Sequence, residues 1–377
     1  MDVCAERMNW SSLTSDLQIE ILVRLPVKSL MRFKCVEKSW NILFKTPYFV
    51  NKRRRHNSEN DKGHSLMIFP RPIDFRPPYI TLLSCDGGSA DEELVQFSSL
   101  FPGNRSILKI ESYGNCNGVF FLKAFYWNST NPGQLILWNP TIKQVHLIPP
   151  TPSFCDSKYD DSLYGLCAFN DSNNFKVVRL QHDVVVGKPM LFASGAEVYD
   201  LSTQSWTPVH HPPPNRIAVH YNPAYTLFVN YVYYWITTVN LFTISNILCF
   251  DFCNNQFHEL KAPCIAVEHS FENIVGIKGS LGYVLEYNLP SPIQLEIWIM
   301  GQNGWVKQYN IGPVEWTCCR RRFWKDVDQV FGGKVGQLLT SYEDQGNSHS
   351  ESQTYLLNFD TCSWGREYLE SITPLST

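Results

Sequence analysis

The feature that most constrains the fold is a unit that recurs from about residue 65 onward, in which one strand-like run is followed by a hairpin. Short apolar runs bounded by Gly, Asn, Asp and Pro predict strands and turns rather than helices. The five hairpins read LILWNPTIKQVHLIPP, AEVYDLSTQSWTPV, ILCFDFCNNQFHEL, LEIWIMGQNGWVKQY and TYLLNFDTCSWGREY. The repetition predicts a domain built from many antiparallel hairpins.

One aromatic residue anchors the first arm of each hairpin, at Trp138, Tyr199, Phe250, Trp298 and Phe359. Successive anchors are 61, 51, 48 and 61 residues apart, and a period of roughly 40–50 residues is typical of β-propeller blades. The runs SLMIF, YITLLSC and ELVQFS, between residues 65 and 98, supply a sixth, degenerate unit. We therefore predict a large all-β, β-propeller-like domain. A β-sandwich also has many short strands, and the uneven spacing keeps it as the alternative.

The N-terminal segment differs from this body in charge. Residues 2–56 hold eleven Lys and Arg against five Asp and Glu, whereas the remainder holds 21 basic and 30 acidic residues. The net charge of −3 thus divides into a basic head and an acidic body. A total so close to neutral indicates neither a nucleic-acid nor a membrane partner.

The head also has helical spacing. A capping-box pattern at Ser15 precedes Leu17, Ile21 and Leu25, which recur every four residues, and Pro26 is expected to end this first helix. Two more short helices should follow. Three short helices bury little apolar surface by themselves, so the apolar stripe is expected to pack on the body or on another protein. The predicted organisation is a small all-α domain at 10–52, a linker at 53–64 and the β domain at 65–377.

The stretch LTSDLQIEILVRLPVKSLMRFKCVEKSWNILFKTPYFV resembles an F-box, the module that docks on the Skp adaptor of cullin-type ubiquitin ligases. The resemblance implies three helices, adaptor binding and, through the adaptor, a cullin scaffold as partner. The residues that it assigns to adaptor binding are Leu13, Thr14, Leu17, Ile21, Leu22, Leu25, Pro26, Leu30, Cys35, Val36 and Trp40. Most family members have Pro where this chain has Thr14. Because Thr can cap a helix, we expect weaker rather than lost binding.

The basic run Lys52-Arg53-Arg54-Arg55 follows the F-box pattern. It could serve as a nuclear-import signal, bind nucleic acid or form a solvated face, and four basic residues without interleaved aromatics are weak evidence for nucleic-acid binding. We predict a solvated face at the end of the third helix. Since the family's adaptor is acidic, the basic head would be steered towards it.

The body resembles the F-box-associated, kelch-like domain that follows the F-box in a large plant family. The matching signatures are GNCNGVFFL, LWNPTIKQ, NNFKVVRL, AEVYDLSTQSW, ILCFDFCNNQFHEL, LEIWIMGQNGW and FWK. Within that family the pattern is close to the S-locus F-box proteins and their relatives. The resemblance to this subgroup implies recognition of ribonucleases in self-incompatibility.

Candidate catalytic residues have simpler structural interpretations. The tryptophans at 138, 206, 298 and 305 could line a ligand groove, but strand positions in a repeat predict blade core. Asp200, Asp251 and Asp360 follow an aromatic residue in three repeats, with Asn139 in a fourth. Because the repeat would place them on separate blades, we interpret them as residues that close turns through side-chain to backbone hydrogen bonds.

No metal-site pattern is present in the sequence. Cys249 with Cys253, the pair at 318–319 and the pair at 210–211 come nearest, and none has the ligand spacing of a structural zinc site. No cofactor is therefore expected. The N-terminus begins with a polar run and no apolar run of membrane-span length occurs, so we expect a cytoplasmic or nuclear location.

The leading hypothesis is a non-catalytic substrate receptor, whose head binds the Skp adaptor while the body captures an unidentified target protein for ubiquitination and degradation. A propeller-type enzyme acting on glycans is the second hypothesis, and an adaptor-binding protein without a ligase role is the third. The loops expected to face a target are those at 70–79, 150–162, 210–216 and 342–353.

Overall fold

The structure is a computed structural model. It describes residues 10–59, 64–68, 79–86, 89–96, 107–126, 133–151, 162–169, 171–184, 191–210, 218–219, 226–240, 243–263, 271–277, 279–287, 293–314, 337–341, 354–358 and 366–369.

The head consists of short helices after a 3-10 turn. The helices are α1 (Ser15–Val23), α2 (Val27–Phe33), α3 (Lys38–Leu43) and α4 (Pro47–Glu59), and the 3-10 turn spans Trp10–Ser12. Thr14 caps α1, because its hydroxyl oxygen accepts a hydrogen bond from the main-chain N–H of Leu17 over 3.5 Å. The helix therefore begins one residue earlier than the capping-box pattern at Ser15 predicts.

The fourth helix corrects the predicted linker. Pro47 occupies the first helical position, where its fixed φ is favoured, and the hydroxyl of Thr46 accepts a hydrogen bond from the main-chain N–H of Phe49 over 3.3 Å. The segment at 53–64 was predicted as a linker, but α4 continues through residues 53–59.

One face of α4 is buried in the head. Phe49, Val50, Arg53 and Asn57 are each at most 7% exposed, and their spacing is that of one helical face. The guanidinium of Arg53 donates hydrogen bonds to two main-chain oxygens at and just after the end of α1. The basic run thus lies within a packed helix, because this face continues past residue 52.

The body contains four consecutive four-stranded antiparallel units, called blades 1–4, among its described residues. Blade 1 contains β4 (Ile107–Cys116), β5 (Val119–Tyr126), β6 (Gln134–Asn139) and β7 (Gln144–Ile148). Blade 2 contains β8 (Leu163–Phe169), β9 (Asn174–Val184), β10 (Leu191–Asp200) and β11 (Ser205–Pro208). Blade 3 contains β13 (Thr226–Val229), β14 (Val232–Asn240), β15 (Thr243–Asp251) and β16 (Gln256–Lys261). Blade 4 contains β17 (Phe271–Ile277), β18 (Ser280–Tyr287), β19 (Ile293–Gly301) and β20 (Gly304–Val314).

The other described strands complete the body. They are β1 (His64–Ile68), β2 (Tyr79–Asp86), β3 (Ser89–Gln96), β12 (Ala218–Val219), β21 (Gln337–Ser341), β22 (Thr354–Asn358) and β23 (Arg366–Leu369). Strand β12 pairs with both β10 and β14, and so joins blades 2 and 3. Strands β21 and β22 pair with each other. The propeller-like prediction is confirmed by these consecutive antiparallel units, and none of the described helices is long and apolar enough to span a membrane.

One sheet joins the two ends of the body. Strand β23 pairs antiparallel with β1, in the sheet order β23-β1-β2-β3. The sequence predicted instead that the segment near 366 would complete the last hairpin, beside the strand at 354–358. Pairing a late strand with an early one covers an edge that would otherwise lie open, which is how closed β architectures protect their strands.

Apolar clusters lie between successive blades. Tyr199 of blade 2 packs against blade 1 in a cluster that includes Phe121 and Leu137, and Phe250 of blade 3 packs in the same way against blade 2. Trp138 lies on the corresponding face of blade 1 and is 1% exposed. These three anchoring aromatics therefore occupy equivalent places on successive blades.

Blade 4 departs from this repeat. Its hairpin turn is two residues shorter, so that Met300 pairs with Trp305 as Tyr199 pairs with Trp206. Met300, and not Trp298 as predicted, is therefore the equivalent of the anchoring aromatic. Trp298 lies two residues earlier on the same face and packs against the same cluster between blades 3 and 4.

In each blade the inner hairpin joins the first and second strands, and the outer hairpin joins the third and fourth. The turns that close the outer hairpins confirm the interpretation of the recurring Asn and Asp residues. The side-chain oxygen of Asn139 accepts a hydrogen bond from the main-chain N–H two residues later over 3.1 Å, and those of Asp200 and Asp251 do the same over 2.9 and 2.8 Å. Lys143, Gln204 and Asn255, four residues after these acceptors, have positive φ. Asp360 lies outside the described residues.

Short turns gather at one end of blades 1–4, which we call the turn end. Residues 117–118, 140–143, 171–173, 201–204, 230–231, 252–255 and 302–303 belong to it. In two of its inner hairpins, Asn117-Gly118 and Asn230-Tyr231, both turn residues have positive φ, as two-residue type I′ turns require. The strand ends beside 127–132, 152–161 and 211–217 lie at the opposite end of their blades.

Candidate partner-binding surface of the head

Apolar side chains remain exposed on the head. Leu17 and Ile21, one turn apart on α1, are 52% and 39% exposed, and Val36, after α2, is 72% exposed. Helix packing normally covers such side chains, and a group of them in a small domain indicates a surface that another protein covers. The three residues therefore form the core of the candidate partner-binding surface.

The other predicted adaptor-binding residues divide by burial. Thr14, Pro26 and Cys35 are exposed, whereas Leu13, Leu25 and Trp40 are partly buried. Two residues differ from the prediction: Leu22 and Leu30 are 1% and 0% exposed in the head's own core. The F-box resemblance assigned both to adaptor binding, but they lie on the inner faces of α1 and α2 and stabilise the head's own core.

Trp40 is held by aromatic neighbours. Its ring lies 5.6 Å from the ring of Trp10 in an edge-on arrangement and 5.3 Å from the ring of Phe33, between ring centroids. Both distances lie in the favourable range for aromatic pairs. This cluster fixes the segment between α2 and α3, which carries Cys35 and Val36.

Two exposed apolar residues of the head were not predicted as part of the surface. Ile42 on α3 is 69% exposed, and Tyr48 at the start of α4 is 56% exposed. On the third helix, the apolar stripe is formed by Trp40, Leu43 and Phe44, and Ile42 does not belong to it. An apolar residue outside the stripe of its helix is the sequence feature that could have predicted the exposure of Ile42.

Charged residues of α1 and α4 pair across the head. One carboxylate oxygen of Glu20 lies 2.5 Å from the ammonium of Lys52, and the other lies 3.4 Å from the guanidinium of Arg24. The hydrogen bond from Lys52 holds the pKa of Glu20 below its usual value. At the end of α2, burial and then the nearby charge of Lys45 lower the pKa of Lys34.

The predicted solvated face of the basic run is wrong for its two central residues. Arg53 is 5% exposed, and Arg54 is partly buried. Only Arg55 of the run is exposed, while Lys52 is partly buried and ion-paired with Glu20. The alternation arises because successive residues of a helix point in directions about 100° apart, so a run of four cannot share one face.

The candidate groove tryptophans belong to the blades. The indole N–H of Trp206 in blade 2 donates a hydrogen bond to the main-chain oxygen of Pro149 over 2.9 Å. That of Trp305 in blade 4 donates to the main-chain oxygen of Lys261 over 2.7 Å. Each bond reaches the end of the preceding blade, so the two residues tie neighbouring blades together.

The thiols and histidines considered as metal ligands do not converge. Cys249 is buried in β15, Cys253 is exposed in the following turn, and His210 is exposed. His211 and the cysteines at 318–319 lie outside the described residues. Across the described ranges, no group of three or more His, Cys, Asp and Glu side chains could hold a metal ion.

The predicted target-facing segments at 70–79, 150–162, 210–216 and 342–353 lie almost wholly outside the described residues. The described strand ends that flank the second and third of these segments, Ile148, Leu163 and Pro208, are at the end of blades 1 and 2 opposite the turn end.

Comparison with known protein families gives two matches. The F-box domain matches residues 10–52, and the F-box associated beta propeller domain matches residues 80–332.

Similar proteins come from Arabidopsis thaliana. F-box protein At2g43440 is 24% identical over 82% of this chain and 69% of its own length. The F-box/LRR-repeat/kelch-repeat protein At2g27520 is 27% identical over 66% of this chain and 60% of its own length. A further relative, the F-box protein At3g23260, is 29% identical over 68% of this chain, and the match spans 65% of that relative.

The solved structures that resemble this chain do so only distantly. The β-propeller domain of Cps50 (Swd1) from Myceliophteria thermophila is 8% identical, with a TM-score of 0.35 over 71% of this chain and 74% of that chain. TolB from Acinetobacter baumannii is 9% identical, with a TM-score of 0.39 over 83% of this chain and 68% of that chain. Similarity at this level says nothing about function.

Proposed function

Because the chain belongs to the F-box-associated β-propeller family and carries an F-box at residues 10–52, we propose that it is the substrate receptor of a Skp–cullin–F-box ubiquitin ligase. The head binds a Skp-type adaptor and, through it, a cullin scaffold. The body captures a target protein, which is ubiquitinated and degraded.

One observation carries the adaptor-binding part of the proposal: Leu17, Ile21 and Val36 stay exposed on the head. Burying apolar side chains of this size against a partner stabilises the complex, because it removes them from water. The basic residues around them, including the exposed Arg32 and Lys38, favour an acidic partner surface.

The receptor needs no catalytic group of its own. Asp200 and Asp251 lie on separate blades, where each closes a turn, and they do not converge on a common site. We propose that ubiquitin transfer depends on proximity: a captured target has a high effective concentration near a conjugating enzyme held by the same scaffold. We further propose that the protein acts in the cytoplasm or the nucleus.

The adaptor-binding proposal is tested by titrating purified Skp-type adaptor against the full chain. The double substitution Leu17→Asp with Ile21→Asp places two charges in the exposed stripe, and a loss of at least about 30-fold in affinity is expected for central contacts. Leu147→Asp is the matched control, since Leu147 is an exposed apolar residue of the body at 48% exposure. Equal affinities of the head variant and this control would contradict the proposal.

Alkylation of Cys35 gives a second measurement without any substitution. Cys35 lies exposed beside Val36, whereas Cys253 is exposed on a turn of the body. Bound adaptor should slow the reaction of Cys35 with iodoacetamide and leave that of Cys253 unchanged. Unchanged reaction of Cys35 at saturating adaptor would place the contact elsewhere.

Target capture by the body is the second part of the proposal. Affinity purification with mass spectrometry, with and without a proteasome block, identifies proteins that accumulate on the chain only when degradation is blocked. A ubiquitination assay with the reconstituted complex then separates a ligase receptor from an adaptor-binding protein without a ligase role.

Ribonuclease recognition in self-incompatibility is a narrower proposal that rests on the motif resemblance alone. A secreted-type ribonuclease added to the reconstituted complex should be captured and ubiquitinated if it is correct.

A further inference from the structure

Neighbouring arginines on α4 contact different parts of the molecule. The guanidinium of Arg53 donates hydrogen bonds to the main-chain oxygens of Val23 and Leu25, over 2.7 and 2.6 Å. The guanidinium of Arg54 donates instead to the side-chain oxygen of Asn117, in the inner turn of blade 1. The same helix is thus bonded to the head by one residue and to the body by the next.

Two more contacts join the head to the body. The side-chain amide of Asn173, in the inner turn of blade 2, donates a hydrogen bond to the main-chain oxygen of Lys45 over 2.9 Å. Ile142, in the outer turn of blade 1, packs against the head's apolar core, which includes Phe44 and Phe49. All three turns belong to the turn end, so the head rests on that end of blades 1 and 2.

The two asparagines that hold the head occupy equivalent turns. Asn117 and Asn173 have φ values of 52° and 53°, and Asn230 in blade 3 has 50°. The side-chain amide of Asn230 donates to the main-chain oxygen of Gly279, in the next blade, over 2.6 Å. Asn117 and Asn230 open two-residue turns and Asn173 ends a four-residue turn, so an asparagine in the first turn of the blade links body to head in blades 1 and 2 and blade to blade in blade 3.

From these contacts we infer that the head and blades 1 and 2 form one interlocked unit, in which Arg54 is the positioning residue. The head is then not an independent module on a flexible tether. Its core is completed by Ile142, and α4 runs without interruption from the head's core to the first turn of the body.

The consequence for function rests on the proposed receptor role. With the body docked, Leu17, Ile21 and Val36 are still exposed, so the interlocked unit can bind an adaptor without opening. A fixed orientation would hold a captured target at one distance from the scaffold, which raises its effective concentration more than a flexible tether would.

Hydrogen–deuterium exchange on the full chain tests the inference, with Arg54→Gln as the variant. Arg55→Gln is the matched control, because Arg55 is the adjacent residue, is exposed and loses the same charge. Arg54→Gln should speed exchange by about tenfold both in the turn at 117–118 and in α1–α3, since local opening is then no longer resisted by the shared contact. Arg55→Gln should match the wild type at both places.

Asn173→Gly provides a milder variant in case Arg54→Gln does not fold. Glycine keeps the positive φ of the turn and removes only the amide that bonds Lys45. Faster exchange in the head after this change in the body supports the inference. The inference is overturned if Asn173→Gly leaves exchange in the head at the wild-type rate. It is also overturned if Arg54→Gln changes exchange only within α4.

Adaptor affinity measured on the same samples separates this inference from the proposed function. Normal adaptor binding together with uncoupled exchange refutes the interlocked unit and leaves the receptor role intact. If neither the wild type nor the Arg55→Gln control binds the adaptor, the receptor role is refuted. The exchange rates then still show whether the head and blades 1 and 2 form one interlocked unit.

Discussion

The hydroxyl of Tyr233, on blade 3, donates a hydrogen bond to the main-chain oxygen of Tyr113, on blade 1, over 3.1 Å. Since that bond uses the only hydroxyl proton of Tyr233, the hydroxyl of Thr226, 2.9 Å away, donates to the Tyr233 oxygen. The ring of Tyr233 crosses blade 2 at Gly165, whose lack of a side chain leaves room for it. One side chain thus joins three blades near the centre of the body.

The first prediction concerns Gly165→Ala. A methyl group at this position would lie 2.6 Å from the ring of Tyr233, far inside van der Waals contact. The ring would have to move and give up its bond to Tyr113, so we expect a loss of about 1–3 kcal/mol in the free energy of unfolding. Urea denaturation followed by tryptophan fluorescence measures it.

Gly301→Ala is the control for that measurement. The methyl group at Gly301 would meet no atom closer than 3.5 Å, so stability should change little. A Gly165→Ala protein as stable as this control would show that the Tyr233 ring can shift without cost.

The second prediction concerns Trp138, which is 1% exposed and packs against Phe120. Trp138→Ala should lower the free energy of unfolding by about 3–5 kcal/mol, the usual cost of emptying a large aromatic site. Trp298→Ala should cost less, because Trp298 is only partly buried. Thermal melts of the two variants rank them, and a Trp138 variant that melts normally yet loses its target would place Trp138 in a recognition surface.

The third prediction concerns Thr14→Pro. The φ of Thr14 is −62°, a value that proline adopts without strain, and the capping hydrogen bond that would be lost is long at 3.5 Å. Restoring the family's usual residue should therefore strengthen adaptor binding while the head stays folded. Titrations compare it with Thr14→Ala, which loses the cap and gains no ring. Binding by the proline form no tighter than by the alanine form would mean that the adaptor does not touch this position.

The fourth prediction concerns pH. His146 of blade 1 lies 2.9 Å from the hydroxyl of Tyr199 of blade 2, and burial lowers its pKa. Because the unfolded state takes up a proton near the ordinary pKa of about 6.5 and the folded state resists it, His146 contributes stability that is present above this pH. That stability is lost as the pH falls through the lower folded pKa.

Melting temperatures between about pH 7.5 and 5 test this for the wild type and His146→Gln, which cannot be protonated in this range. The wild type should lose more stability on acidification than the variant does. Parallel curves would mean that the His146 side chain accepts a proton in the folded protein as easily as in the unfolded one.

Much of the fold could be predicted from sequence because its repeat is carried by side chains with local roles. Asn139, Asp200 and Asp251 each bond a main-chain N–H two residues away, so a short window of sequence contains the whole interaction. The same local logic predicted the first helices of the head.

The rest depended on contacts between distant residues. The pairing of β23 with β1 joins segments roughly 300 residues apart, and no local pattern encodes it. Arg53 and Arg54 looked like surface residues, but their partners at Val23 and Asn117 are 30 and 63 residues away. The exposed residues of the candidate surface were predictable from family resemblance, whereas the burial of Leu22 and Leu30 required knowing which way each helix faces.

The pairing of β23 with β1 also sets an order of events during synthesis. At roughly 5–20 residues per second, a ribosome needs on the order of 15–60 s to make the chain between the two strands. Throughout that interval the helices of the head, which end at Glu59, are already synthesised, while β1 still lacks this neighbour. The nascent protein therefore has a period in which the exposed apolar residues of the head are already present while the sheet β23-β1-β2-β3 is incomplete and β1 keeps an open edge.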